Sequence, residues 1–148
     1  MHEKRHTIMS LAIKRSFSGK GLFATRTFRK REFIIEYFGP MLTADEAEHK
    51  WRNRYLFRVS VNRYIDGNCT ANVARFINHA CRPNAEAISG RRIKIYAKRE
   101  IKVGEEICFN YGREYVDLFL KACLCATCRT RQAKDGARDR SKKLFPST

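Results

Sequence analysis

Three thiols within six residues, Cys123, Cys125 and Cys128 in the run CLCATC, make a demand that the local chain cannot meet. They fall one ligand short of the tetrahedron that zinc takes, so a fold that uses them must bring a distant cysteine back to them. The other cysteines are Cys69, Cys81 and Cys108. Cys108 sits inside an apolar strand and reads as a small core residue. Cys69 lies in a polar turn with Asn68 and Thr70, and Cys81 in an irregular segment beside Pro83. Spacing prefers Cys81 slightly and leaves both open. Metal is favoured over disulfides because Met1 to Lys14 is polar and basic, without the apolar stretch that directs secretion. That argues for an intracellular, reducing compartment, either a bacterial cytoplasm or a nucleus.

The 148 residues suit one domain, and an apolar fraction of 43% is enough for a real core. No apolar run approaches the roughly 20 residues of a membrane span, so no membrane partner is expected. Lys and Arg number 31 against 15 Asp and Glu, a net charge of +16. That excess favours acidic partners such as nucleic acid or chromatin, although the same charge also keeps a small protein soluble.

Punctuation along the chain predicts many short strands. Ile8 to Lys14 reads as the first, followed by a Gly/Ser turn from Ser16 to Gly21. Glu32 to Phe38 reads as a buried strand ended by Gly39-Pro40. Thr43 with Glu46 makes a capping box and opens the one clear helix, Ala44 to about Arg54. Tyr55 to Val61 alternates with period two, placing Tyr55, Phe57, Val59 and Val61 on one face. Ser89-Gly90 fits a hairpin turn between Ala85–Ile88 and Arg92–Ala97. Ile107, Phe109 and Tyr111 share a face of the strand after Val103-Gly104-Glu105. Arg129 to Lys143 is charged, nearly free of apolar residues, and expected to be mobile. Many strands, one helix and no βαβ alternation argue against a doubly wound nucleotide-binding fold.

Ser18-Gly19-Lys20-Gly21 lacks the third glycine of the dinucleotide fingerprint, and alone it is a turn that lets a ligand approach the main chain. Residues 74–85, ARFINHACRPNA, place Asn78, His79 and Asn84 in a polar knot suited to a polar ligand. A loop that satisfies its own backbone explains the composition equally well. Tyr37, Tyr55 and Tyr111 could line a pocket, though aromatics on a strand face more often belong to the core. His79 and Cys81 as a nucleophilic pair lack a third partner.

In this order the pieces resemble the SET-domain protein-lysine methyltransferases. The matching stretches are SGKGLFA (18–24), EYFG (36–39), YLF (55–57), YID (64–66), ARFINHACRPN (74–84) and GEEICFNYG (104–112), and CLCATC (123–128) is similar to a post-SET zinc motif. The resemblance runs from about residue 8 to 128. It departs at one point, because only two residues separate Cys125 from Cys128 where the family usually has a longer gap. No cysteine-rich segment precedes the match, which suggests a minimal, free-standing SET protein.

The resemblance implies a mostly β fold of the β-clip type with knot-like threading of its C-terminal part. Residues 1–128 would form the domain and 129–148 a basic tail. It implies two cofactors, S-adenosylmethionine and zinc. Ser18, Gly19, Lys20, Gly21 and Tyr55 would meet the amino-acid part of S-adenosylmethionine, and Asn78 and His79 would hold it largely through adenine. Tyr111 would be the catalytic tyrosine, with Tyr37, Phe57 and Phe109 lining the lysine channel. Cys81 would join Cys123, Cys125 and Cys128 on one zinc. The substrate would be a histone or another basic, DNA-associated protein. Phenylalanine at position 109 goes with di- and trimethylation in such proteins. The competing reading is a non-catalytic basic zinc module that binds chromatin or nucleic acid.

Overall fold

The computed structural model of the protein describes residues 9–120 and 122–134. Among them the short apolar runs form small sheets with no βαβ unit. Strands β1 (Leu11–Ser16) and β2 (Gly19–Ala24) make an antiparallel hairpin. The strand begins at Leu11, where pairing with Ala24 begins, rather than at Ile8, which lies outside the described residues. The turn is also tighter than the sequence suggests. Only Phe17 and Ser18 lie outside the ladder, because Gly19, at φ +100°, reverses the chain and enters β2.

Strands β3 (Phe33–Tyr37), β8 (Ala85–Ser89) and β9 (Ile93–Ala97) form one sheet in the order β3-β9-β8, with the expected turn around Gly90. Strands β4 (Met41–Leu42), β5 (Leu56–Ser60) and β6 (Arg63–Asp66) form another, ordered β4-β6-β5. Two very short strands decide the rest. β7 (Asn78–His79) runs parallel to β10 (Cys108–Phe109), Asn78 opposite Cys108 and His79 opposite Phe109. A parallel pair cannot be closed by a tight turn, so the chain reaches it by way of β8 and β9. The Asn-His segment and the Tyr-ended strand therefore pack side by side, in keeping with the knot-like threading that the resemblance implies. Leu22, Phe28, Ile34, Ile77, Ile93, Ile95, Ile101 and Ile107 are all less than 2% exposed and belong to one core cluster. Burying each contributes roughly 1.5–3 kcal/mol, which holds the small sheets together around one core.

Two further expectations are corrected. The capping box on Thr43 forms, but its helix ends at Glu48 rather than near Arg54. Only Ala47 is buried along it, so there is no apolar stripe to carry it further. Instead Lys50 and Asn53 turn inward to Asp66, at 3.0 and 2.7 Å, and Asn53 Oδ1 accepts the Tyr55 N–H. Val61 does not share the face of Tyr55, Phe57 and Val59. The register shifts between Arg58 and Ser60, and Val61 is 80% exposed in the turn that follows. Residues 129–134, the first part of the basic tail, continue a helix that begins at 126. Residues 135–148 lie outside the described ones.

Candidate active site

A cleft of about 1700 Å³ gathers most of the residues singled out above. A single small-molecule site is typically about 300–1,000 Å³, so this one has room for two ligands. Ser18, Lys20, Tyr37, Tyr55, Phe57, Asn78, His79, Phe109 and Tyr111 all line it. Gly19 and Gly21 are on β2 beside Ser18 and Lys20 without lining the cleft themselves.

One end of the cleft is polar. Asn78 Nδ2 donates to the Lys20 carbonyl at 3.0 Å and to Glu106 Oε1 at 2.7 Å. Two acceptors fix which way the side-chain amide points, and no hydrogen bond among the described residues uses its Oδ1. Glu106 Oε2 in turn accepts from Ser16 Oγ at 2.8 Å. A side chain on Gly21 would fall on the Glu106 carboxylate, so the second glycine makes room for this network. Asn84, also named from sequence, is buried and serves the backbone instead of a ligand: it donates to the Glu106 carbonyl and accepts from Cys108 N–H.

His79 faces two ways. Its Nδ1 accepts the Tyr111 backbone N–H at 3.1 Å, and burial holds its pKa below the usual range, so the ring is neutral. The proton then sits on Nε2, which lies 3.5 Å from Cys81 Sγ. His79 thus ties the Tyr-ended strand to the cysteine cluster, and the idea of it as a base for a Cys81 nucleophile is set aside.

The other end is a continuous series of rings. Centroids lie 5.3 Å apart for Tyr37–Phe57, 5.9 Å for Phe57–Phe109 and 4.9 Å for Phe109–Tyr111. The series continues through Tyr115 and Phe119, at 4.9 and 4.7 Å. Tyr37 donates to the Tyr55 carbonyl at 2.7 Å, and Tyr111 donates to the Ile77 carbonyl. Burial, more than any neighbouring charge, raises both phenols well above the ordinary tyrosine range, so both stay protonated at neutral pH.

The sulfur atoms of Cys81, Cys123, Cys125 and Cys128 all lie within 4.8 Å of one another. Cys81 Sγ is 3.8 Å from Cys123 Sγ and 3.5 Å from Cys128 Sγ. Zinc–sulfur bonds of about 2.3 Å in a tetrahedron put sulfurs about 3.8 Å apart, so the donor set fits zinc. Burial opposes ionisation of Cys125. The backbone N–H groups of Cys81 and Cys128, with the adjoining thiols, outweigh it and bring its pKa down to about 6. Burial pushes Cys81 and Cys123 up. The short gap between Cys125 and Cys128 is absorbed by the helix starting at 126, which returns Cys128 over one turn. The two other cysteines stay apart. Cys69 Sγ reaches the Phe38 carbonyl, and burial raises the Cys108 thiol to about 12. Cys123 and Cys125 also line the cleft, so the cluster is part of its wall.

Glu106, Tyr115 and Phe119 were missed in the sequence. Glu106 adjoins another glutamate beside a glycine turn and resembles surface. Tyr111, Tyr115 and Phe119 recur every fourth residue, a helical stripe that could have been found.

Residues 19–112 match the SET domain family. Histone-lysine N-methyltransferase set1 of Dictyostelium discoideum is 39% identical over 125 residues, which cover 76% of this chain and 8% of that protein. Histone-lysine N-methyltransferase set-2 of Caenorhabditis elegans is 40% identical over 126 residues, 75% of this chain and 8% of its own. An H3 lysine-4 specific histone-lysine N-methyltransferase of Schizosaccharomyces pombe is 37% identical over 123 residues, 74% of this chain and 13% of its own. The chain spans 8–13% of the length of these relatives.

Proposed function

The chain belongs to the SET-domain family, and we propose that it is a protein-lysine N-methyltransferase acting on a histone or another basic, DNA-associated protein. One observation carries the reading. Tyr111 joins the aromatic wall through Phe109 and the polar end through the bond from its N–H to His79. A site that binds a polar cofactor and one that sheathes an alkylamine thus meet at one residue.

S-adenosylmethionine, when bound, supplies a methyl group on a positively charged sulfur. The residues fit it. Asn78 offers a fixed acceptor to a donor group, and β2 offers main chain at Gly19 and Gly21 without side chains. Ser18, Lys20 and Tyr55 would complete the end that holds its amino-acid part, and Asn78 and His79 the adenine end. Zinc would be held by Cys81, Cys123, Cys125 and Cys128 and would brace the wall.

The protein's own task is alignment and desolvation. A free lysine has a pKa of about 10.4, and only its neutral form is a nucleophile. Walls of Tyr37, Phe57, Phe109 and Tyr111 disfavour the ammonium and so favour the reactive amine. Tyr111 stays protonated and is no base; its hydroxyl oxygen positions the amine. The amine proton leaves to water. Histone substrates would place the protein with chromatin, in a nucleus or inside a cell whose chromatin it reaches.

The test is transfer of labelled methyl from S-adenosylmethionine to a panel of histones and other basic DNA-associated proteins, with the site mapped by mass spectrometry. Methyl-lysine is expected. Cofactor binding without any methyl-lysine overturns the catalytic reading, and the absence of both leaves the basic zinc module.

A further inference from the structure

On the part of the surface that does not line the cleft, two loops are stitched together. Phe28 and Ile101 exchange backbone hydrogen bonds of 2.8 and 2.9 Å; Arg31 N–H reaches the Ala97 carbonyl at 2.7 Å, and Ala97 N–H the Glu32 carbonyl at 2.9 Å. The first loop carries Arg29, Lys30 and Arg31 in succession, and the second carries Lys98, Arg99 and Lys102, all exposed. The nearby acids are mostly paired. Glu32 binds Arg26 at 2.8 Å and Arg29 N–H at 2.7 Å, and Glu105 binds Arg99 at 2.8 Å. Glu100 is the one further acid on these loops. Arg29, Lys30, Arg31, Lys98 and Lys102 enter no ion pair among the described residues.

The backbone adds a second observation. Arg31 sits at φ +69°, the one non-glycine residue at positive φ among those described. Glycine or asparagine relieves such a turn, and a long cationic side chain there runs against the local preference. The effect is three consecutive cations on a tight turn.

We propose that this patch is a docking surface for the phosphate backbone of double-stranded nucleic acid. Phe28, Ala97 and Ile101 beneath it are buried, and only Val103 stands out as an apolar residue beside it. Protein partners usually need a central apolar anchor, whereas phosphate contacts are made by cations alone. None of its residues lines the cleft, so a duplex bound there leaves the cleft open to a protein on the same nucleic acid. A basic protein substrate is itself repelled by the patch.

The experiment is fluorescence anisotropy of a labelled 20-base-pair duplex with the full chain, across a salt series. Arg29→Gln/Lys30→Gln/Arg31→Gly should bind more weakly, and its plot of log affinity against log salt should be shallower by about 0.9 for each phosphate the variant no longer neutralises. A control, Arg63→Gln/Arg91→Gln/Lys94→Gln, removes equal charge from other exposed positions and should lower the slope by less than half as much. The single change Arg31→Gly should raise the melting temperature while weakening binding, so misfolding cannot mimic the result. Equal weakening in the two triple variants, or displacement of the duplex by polyglutamate as readily as by unlabelled duplex, would overturn the proposal. So would full retention of affinity by Arg31→Gly together with the Lys98→Gln/Lys102→Gln variant. Binding is read without turnover, so the result stands apart from the methyltransferase reading.

Discussion

Glu106 is the carboxylate on which three distant stretches of sequence converge. It takes Ser16 from β1, Asn78 from β7, and the space left by Gly21. Its job is geometric, since a neutral amide can accept and donate in the same two directions. Glu106→Gln should therefore keep S-adenosylmethionine affinity within about threefold. Glu106→Ala frees the Asn78 amide and should weaken affinity at least tenfold, about 1.4 kcal/mol. Calorimetry on folded variants checks both; a Gln variant as weak as the Ala variant would mean that the charge itself matters. On the proposed function, Phe109 would face the lysine amine with no hydroxyl to hold a water there, which would leave room for a methylated amine to turn. The wild type should proceed beyond monomethyl-lysine, and Phe109→Tyr should shift the product toward one methyl. A mass-spectrometric time course reads both, and a wild type that stops at one methyl with cofactor in excess would contradict the role given to Phe109. At this scale, the residues that line the cleft were legible as a group because each stretch carries its own signature, while the role of each rests on the proposed function. Glu106 was not, because nothing in GEEICFNYG tells which glutamate turns inward; that is decided by the partners which the fold delivers.

Elements close the cleft through a few bonds. Tyr115, in the short helix Arg113–Tyr115, donates to the Arg54 carbonyl at 2.5 Å, while Tyr37 in β3 holds the Tyr55 carbonyl. Two consecutive peptide groups are thus pinned by tyrosines from two different elements. The loop they pin has no helix to stiffen it, because the helix at Thr43 stops early. Tyr115→Phe removes one bond, worth about 1 kcal/mol, and keeps the ring stacking. Because the loosened loop carries Tyr55, the change should raise the KM for S-adenosylmethionine several-fold; steady-state kinetics with each substrate varied check this, and an unchanged cofactor KM would contradict the role given to the loop. The cysteine cluster anchors the far side. One zinc per chain is expected by elemental analysis of protein purified under reducing conditions, and Cys81→Ser should lose it and lower the melting temperature. Full metal retention in that variant would remove Cys81 from the ligand set. The shortened helix shows why element lengths were only partly legible. A capping box specifies a start, but only an apolar face specifies a length, and residues 44–54 have none.

Across the whole molecule, order of motifs was the informative quantity. No single stretch says that residues 78 and 108 are neighbours; the order of a Gly-x-Gly, an Asn-His segment and a Tyr-ended strand carries the resemblance that implies knot-like threading, and the parallel pair β7–β10 is where the two segments meet. The fourth cysteine was left open by spacing and came from the resemblance; the fold supports it by carrying Cys81, just past β7, to the cluster. What the order of motifs did not give was the surface. Net charge says that the chain is basic, while the stitching of residues 28–32 to 97–101 decides where cations accumulate unpaired.

The central claim, a methyl transfer organised around Tyr111, is tested most directly by one comparison. Wild type and Tyr111→Phe are given saturating S-adenosylmethionine and a lysine peptide found by the histone panel. Methyl transfer is followed by mass spectrometry, with cofactor affinity measured on the same preparations. The account predicts that Tyr111→Phe binds cofactor as the wild type does, because neither the His79 bond to its N–H nor the packing of its ring depends on the hydroxyl, while turnover falls by at least tenfold, about 1.4 kcal/mol of barrier. Turnover within about twofold of wild type, roughly 0.4 kcal/mol, would contradict it.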